Sequence, residues 1–320
     1  MPPRSPLPAR AGERGPRRIG FGLAALGRPG YLNVGHGADL GGDRSAEALR
    51  ARSFEVLDAA YAAGVRYLDT ARSYGRGEEF LGAWLRDRDP DDVVVGSKWG
   101  YVYTAGWEVA ADPPEVKHHD ADTFRRQLEE TRANLGDRLA LYQIHSATPD
   151  SGVLENAEVL DELAALRRSG VAIGLTTSGP SQAWTLERAL ELDLFDAAQV
   201  TWNLHERAAG AALARAHDAG LGTIVKEALA NGRLATRGAH PALDAVAVRL
   251  GATPDAVALA AVLAQPFVDI ALSGAATVGA LRSNMAAVEV ELDAAALAEL
   301  DALEERSDDY WAARGELAWN

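Results

Sequence analysis

The chain has no cysteine, which excludes disulfide bridges, thiolate metal sites and cysteine nucleophiles. The absence fits a reducing compartment. Lysine is almost missing as well: Lys98, Lys117 and Lys226 are the only three. No run of about 18 apolar residues occurs, so no transmembrane helix is expected. An excess of basic charge is lacking, because 32 Lys and Arg face 46 Asp and Glu for a formal charge of -14. That balance opposes general affinity for nucleic acid or anionic membranes. Any anionic ligand then needs a local basic site. Residues 1–18 are rich in Pro and Arg and lack the apolar core of a secretory signal; they are expected to form a disordered tail. A transit peptide fits less well, given the prolines and Glu13. The expectation is a soluble, cytoplasmic protein with no nucleic-acid or membrane partner, and nothing in the sequence speaks to its oligomeric state.

What is present is a regular alternation. The chain has 320 residues and a hydrophobic fraction of 48%, ample for a large core. Apolar runs at 19–26, 65–69, 92–99, 139–145, 171–177, 197–201, 222–227 and 268–273 read as strands. Helical periodicity marks 45–63, 78–86, 121–135, 152–168, 180–192, 207–219, 241–250, 254–263, 278–288 and 294–306 between and after them. About eight strands, each followed by a helix or a long loop, fit a parallel (β/α)8 barrel, which closes at that number, better than a doubly wound sheet, which usually stops near six. The architecture expected is α/β, a single eight-stranded TIM barrel over 19–320 with a C-terminal tail. Gly20-Phe-Gly22-Leu-Ala-Ala25 superficially fits a dinucleotide fingerprint. The glycines and proline that follow cannot open the required helix, so it reads as a strand end and loop.

Several strands end in residues that a buried core does not select: Asp69, Lys98 with Trp99, His145, Ser178, Trp202 and Lys226. In a barrel these ends converge on one rim, where chemistry resides. Arginine is the default cation here, so two of three lysines at strand ends suggest a need for a compact, tunable ammonium. A rim lysine can also simply snorkel, and Asp69 can cap a helix. With Asp69, Tyr74, Lys98 and His145 on one rim, a more specific chemistry opens. An ammonium within about 4 Å of a phenol favours the phenolate by roughly 4 kcal/mol at an effective dielectric of 20. Asp69 would hold the lysine and partly offset that effect, while His145 could orient a carbonyl oxygen. Such a set protonates a carbonyl while a hydride arrives from elsewhere.

The segments Asp69-Thr-Ala-Arg-Ser-Tyr74-Gly75, Ser97-Lys98-Trp99-Gly100 and Leu141-Tyr-Gln-Ile-His145 resemble the tetrad motifs of the aldo-keto reductases, in that family's order and at similar spacing. The resemblance extends over about residues 18–305. It implies a barrel that binds a nicotinamide cofactor across the rim, with Tyr74 as proton donor or acceptor, Lys98 and Asp69 tuning it, and His145 positioning the substrate. It also implies cofactor contacts at Ser178, Gln199, Trp202, Lys226, Ser273, Gly274, Ala275, Thr277 and Asn284, with Trp202 as the aromatic that stacks on the nicotinamide. NADP(H) is the cofactor that the resemblance favours. NAD(H) is the alternative, because Ala280 stands near the family's basic or polar phosphate contact and Arg282 is offset from it by two residues. No metal is implied. The substrate would be a small aldehyde, ketone, alcohol or sugar-like molecule. Trp99, Tyr101, Tyr103 and Trp107, with Trp311 and Trp319, could wall its pocket or serve ordinary packing. Two rival readings remain: a barrel lyase with Lys98 as a Schiff base, and a non-catalytic, cofactor-sensing regulatory subunit on the same fold.

Overall fold

The computed structural model describes residues 5–320. Eight parallel strands close a barrel, each hydrogen-bonded to its neighbours in chain order. They are β1 (Ile19–Gly22), β2 (Tyr67–Asp69), β3 (Val94–Trp99), β4 (Leu139–Ala147), β5 (Ala172–Thr177), β6 (Ala197–Thr201), β7 (Gly222–Lys226) and β8 (Ile270–Ser273). Register pairs such as Phe21 with Leu68 and Phe21 with Ser273 join the first strand to both the second and the last. Closure leaves no sheet edge exposed.

Around the barrel run α1 (Ala46–Ala62), α2 (Gly77–Arg88), α3 (Ala121–Leu135), α4 (Ala157–Arg168), α5 (Gln182–Glu191), α6 (Gly210–Asp218), α7 (Pro241–Leu250), α8 (Pro254–Leu263), α9 (Val278–Met285), α10 (Ala294–Asp301) and α11 (Ser307–Gly315). Local sequence sets their starts. Ser45, Asp120, Asn156, Thr277 and Asp293 each accept a hydrogen bond from a first-turn amide, the ordinary role of these residue types at an N-cap. Among the described residues no single helix is long and apolar enough to cross a membrane.

Three features depart from the sequence reading. The long loop at 100–119 contains an antiparallel hairpin, Tyr101–Tyr103 paired with Glu115–Lys117, whose three-residue strands are too short to announce themselves by periodicity. The C-terminal tail contains α11, which continues past the last expected helix. The third concerns the expected disordered tail, of which Met1 to Arg4 lie outside the described residues. Residues 5–18 pack under the barrel. Leu7 and Ala9 join Tyr67, Leu141, Ala197, Ile224 and Ile270 in an apolar floor. Arg10 pairs with Asp269 at 3.2 Å, and Arg18 donates to the Leu263 carbonyl at 2.9 Å. A Pro/Arg-rich composition reads as tail only where those side chains lack partners, and here the barrel floor supplies them.

Candidate active site

The strand ends expected at one rim do meet there. Lys98 is 1% exposed and its Nζ pairs with Asp69. The same nitrogen donates to the Thr70 carbonyl at 2.9 Å and lies 3.3 Å from Tyr74 Oη. An ammonium has three donors, and all three are engaged. A nucleophilic amine needs a free lone pair, which is the opposite of this arrangement. Asp69 also accepts from Tyr67 Oη at 3.1 Å and Gln199 Nε2 at 2.9 Å. Tyr67 rises through the barrel interior beneath it. Gly96 makes room for that ring, since a Cβ there would sit 2.3 Å from Tyr67 Oη.

His145 closes the group. Strand β4 shifts register between Ile144 and Ala147, with Ser146 at a φ of 55°, and such a bulge re-aims a side chain at a strand end. The imidazole stands edge-on to Tyr74, centroids 5.5 Å apart, and edge-on to Tyr101 at 4.9 Å. Burial, followed by Lys98, Lys226 and Arg28, holds its pKa well below the usual histidine value, so the ring is neutral. Ser73 Oγ lies 3.3 Å from Nδ1. With that hydroxyl donating, the ring proton sits on Nε2 and can be offered to a substrate oxygen.

Burial pushes the Tyr74 phenol well above its usual pKa; Asp69 adds to this and Arg28 opposes it. The lysine therefore tunes Tyr74 less than its proximity alone suggests, because its charge is already matched by Asp69. The phenol keeps its proton at neutral pH.

A cleft of about 450 Å³ runs from this group along the rim. Tyr74, Tyr101, His145, Ser178, Gln199, Lys226, Ser273, Gly274, Ala275 and Asn284 all line it. Other expected residues point elsewhere. Side chains alternate along a strand, so Gln199 and Thr201 face inward and Trp202 faces out, against Phe267 at a centroid distance of 6.0 Å. Trp99 follows Lys98 in the same way and packs on Phe124 at 5.0 Å. Thr277 caps α9, its side chain accepting from Ala280 N at 3.1 Å. Trp107 donates to the Arg44 carbonyl at 2.9 Å, and neither it nor Tyr103 lines the cleft. In the tail, Trp319 lines it while Trp311 does not.

Some lining residues carry no sequence signal. Arg28 is 2% exposed, pairs with Glu115 at 2.8 Å, and lies 4.5 Å from the Trp319 ring and 5.3 Å from the Tyr74 ring. Beside Tyr74 and His145, Lys226 donates to Thr201 Oγ1 at 2.9 Å, and burial lowers its pKa to about 8. Burial alone would raise Glu227, but Arg314 and Lys226 outweigh it and hold the carboxyl at about 2. Arg314 comes from α11, so the unexpected helix supplies a wall of the cleft. A strap crosses above: Asn231 donates from Nδ2 to the Leu32 carbonyl at 3.1 Å and accepts at its own carbonyl from Val34 N at 2.9 Å.

The cleft has the fittings of an elongated anionic cofactor. Nothing lies within 4 Å of where a Gly274 Cβ would be, so the backbone there is open to a close approach. Asn231 Oδ1 is buried without a partner. Glu227, Ala230 and Asn231 have φ values of 54°, 48° and 54°, and backbone strain of this kind gathers at ligand sites. The eight-residue α9 opens beside the cleft, offering amide N–H groups and a positive dipole end.

Comparison with known proteins gives the family. The profile described as "Aldo/keto reductase family" matches residues 18–305. The aldo-keto reductase str7 of Strobilurus tenacellus is 35% identical over 126 residues, a match spanning 38% of this chain and only 33% of that protein. The D-threo-aldose 1-dehydrogenase of a Pseudomonas species is 30% identical over 234 residues, 68% of this chain and 69% of its own. Among solved structures, the aldo-keto reductase of Klebsiella pneumoniae in complex with NADPH superposes with a TM-score of 0.66 at 24% identity, covering 92% of this chain and 95% of that one. The barrel, its tetrad-bearing rim and the profile match lead to one assignment: the chain belongs to the aldo/keto reductase family.

Proposed function

We propose that the protein is a nicotinamide-dependent oxidoreductase that interconverts an aldehyde, ketone or sugar-like carbonyl with its alcohol, using Tyr74 as general acid and base. The observation that carries the reading is Lys98 Nζ at 3.3 Å from Tyr74 Oη while paired with Asp69, with His145 edge-on to the same phenol. A bound nicotinamide cofactor supplies or takes up the hydride. Ser178, Gln199, Ser273, Gly274, Ala275 and Asn284 are the residues that would hold it, under the strap formed by Leu32, Val34 and Asn231.

The chain's own residues handle the proton and the oxygen. His145 Nε2 donates to the carbonyl oxygen and orients it. Tyr74 Oη then gives its proton to that oxygen as negative charge develops, and reclaims it in the reverse direction. The phenolate so formed faces Lys98, whose ammonium is already in place, so little reorganisation is needed at the moment of transfer. Asp69 holds the lysine in place. The Lys226, Glu227 and Arg314 charges, and Arg28 with Glu115, give the substrate end paired donors and acceptors suited to a neutral, oxygen-bearing substrate. A lyase with a Lys98 Schiff base is disfavoured by the lysine's engaged donors, and no feature of the cleft favours a non-catalytic role.

Tyr74→Phe tests the reading. Removing the proton donor is expected to lower turnover about 10³-fold, within the range for general acid-base catalysis, while cofactor affinity changes little. Turnover of the variant equal to that of the parent, on a panel of carbonyl compounds and sugars, would sink the assignment.

A further inference from the structure

The two ends of the cleft differ in charge: cations paired with carboxylates line one, and a carboxylate without a cation lines the other. The cations that line it are Arg28, Lys226 and Arg314, and all three belong to the end that holds Tyr74, Glu115 and Glu227. The far end is formed by Ser273, Gly274, Ala275, Ala276, Ala280 and Asn284, none of them cationic. Arg282, the one cation on α9, is exposed and does not line the cleft. One ionisable side chain does line this end. Asp255, the second residue of α8, is 8% exposed and borders the cleft with Ala280 and Asn284. The start of α8 is tied to α9 by Thr253 Oγ1 and Ser283 Oγ, 2.9 Å apart. Among the described residues no hydrogen bond or ion pair reaches the Asp255 carboxylate.

Asp255 is largely buried as a residue, and its carboxylate, which borders the cleft without a protein donor, is open to hydrogen-bond donors from a ligand. It also repels an anion that brings no cation of its own. The inference rests on the reading of the cleft as a nicotinamide site, in which the reactive ring must reach Tyr74 and His145. The other nucleotide half of an elongated cofactor then lies at the far end, with its phosphates toward the opening of α9. The group presented there is the adenosine ribose. In NAD(H) it carries hydroxyls, which are donors; in NADP(H) the 2′ position is a phosphate. Acidic residues accept from the ribose hydroxyl in other dinucleotide sites, whereas a 2′-phosphate is usually met by an arginine.

We propose that Asp255 is a specificity residue that selects NAD(H) over NADP(H), accepting a hydrogen bond from the ribose 2′-hydroxyl and repelling a 2′-phosphate. Ala280 completes the device by leaving no cation to neutralise that phosphate. Asp39, exposed on the cleft wall, adds charge of the same sign. The family resemblance by itself favours the opposite cofactor.

The test is an equilibrium titration of the purified full-length protein with NADH and with NADPH, read by nicotinamide fluorescence and needing no substrate. NADH is expected to bind about 100-fold more tightly, a ratio that like-charge repulsion at the 2′ position can supply. In Asp255→Asn the ratio is expected to shrink about tenfold, mainly because NADPH binds better. Asp255→Ser combined with Ala280→Arg is expected to prefer NADPH. Equal or tighter NADPH binding by the unaltered protein would overturn the inference, as would an unchanged ratio in Asp255→Asn. Binding of neither dinucleotide would overturn the inference together with the nicotinamide reading beneath it, and is thereby distinguishable from an NADPH preference, which leaves that reading standing.

Discussion

Two buried aspartates sit at opposite ends of the barrel and do different work. Asp269, fully buried at the floor, accepts from Ala11 N at 2.8 Å, Thr223 N at 2.9 Å and Arg10 Nη1 at 3.2 Å. Two of these donors are backbone amides and the third belongs to the N-terminal segment. Asp269 is a latch between that segment and two strands. Asp69, 2% exposed at the rim, is held by side chains: Lys98, Tyr67, Gln199 and, at 3.5 Å, Gln143. Lys98 goes on to Tyr74 and Gln199 to the cleft. Asp269 is held largely by backbone amides, whereas the side chains that hold Asp69 continue to the cleft.

The largest expected effect that separates the two comes from Lys98→Met. Turnover should fall about 10³-fold, and stability should fall by about 3 to 5 kcal/mol because Asp69 is left buried and unpaired. Adding Asp69→Asn should restore most of the stability and none of the turnover; recovery of both would erase the distinction. Denaturant unfolding and steady-state kinetics read the two quantities. Next in size, Asp269→Ala is expected to cost about 3 kcal/mol, from stranded buried donors, with kcat per folded molecule unchanged. A drop in kcat matching the stability loss would show that the floor speaks to the rim.

Glu227 is a third buried carboxylate, held by the Arg314 side chain at 2.9 Å and lining the cleft like Asp69. Its folded pKa of about 2 lies below the ordinary glutamate value of 4.5. The unfolded chain therefore binds the proton first as pH falls. The stabilisation is present above pH 4.5 and is lost between 4.5 and about 2, amounting to about 3 kcal/mol. Glu227→Gln should flatten this acid limb in a pH series of unfolding curves. An acid limb as steep as the parent's would assign the loss to other carboxylates. The smallest effect is expected at Trp202→Phe. Its ring packs outside the barrel, so cofactor affinity should change by less than about twofold, well under 1 kcal/mol. A tenfold loss would return Trp202 to the cleft.

The fold was legible because a strand buried on both faces must be apolar throughout and a helix around it must be amphipathic; these two patterns alternate from Ile19 onward. Asp69, Lys98 and His145 were legible as polar groups at the ends of such strands, and Tyr74 as a tyrosine on the loop that follows one of them. Gln199 and Trp202, three residues apart, show where legibility stops. Both fit a motif, but the period-two alternation sends them to opposite faces, and the last inward residue depends on where the strand ends. Arg28, Glu115 and Arg314 gave no signal because they lie on a glycine-rich loop, a three-residue hairpin strand and a terminal helix. The Pro/Arg-rich segment misled for a related reason, since its partners Asp269, Leu263 and Val268 are some 250 residues away.

Sequence alone determined the class of architecture and which polar groups stand at the strand ends. Both rest on local chemistry: hydrophobic periodicity is set residue by residue, and a charged group at a strand end is costly unless it has a use. Tertiary structure decided what surrounds the tetrad. Asp255 reads as an unremarkable helix-opening acid until α8 and α9 are laid side by side at the cleft. Its burial, and the absence of a cation facing it, are properties of elements brought together by closure of the barrel.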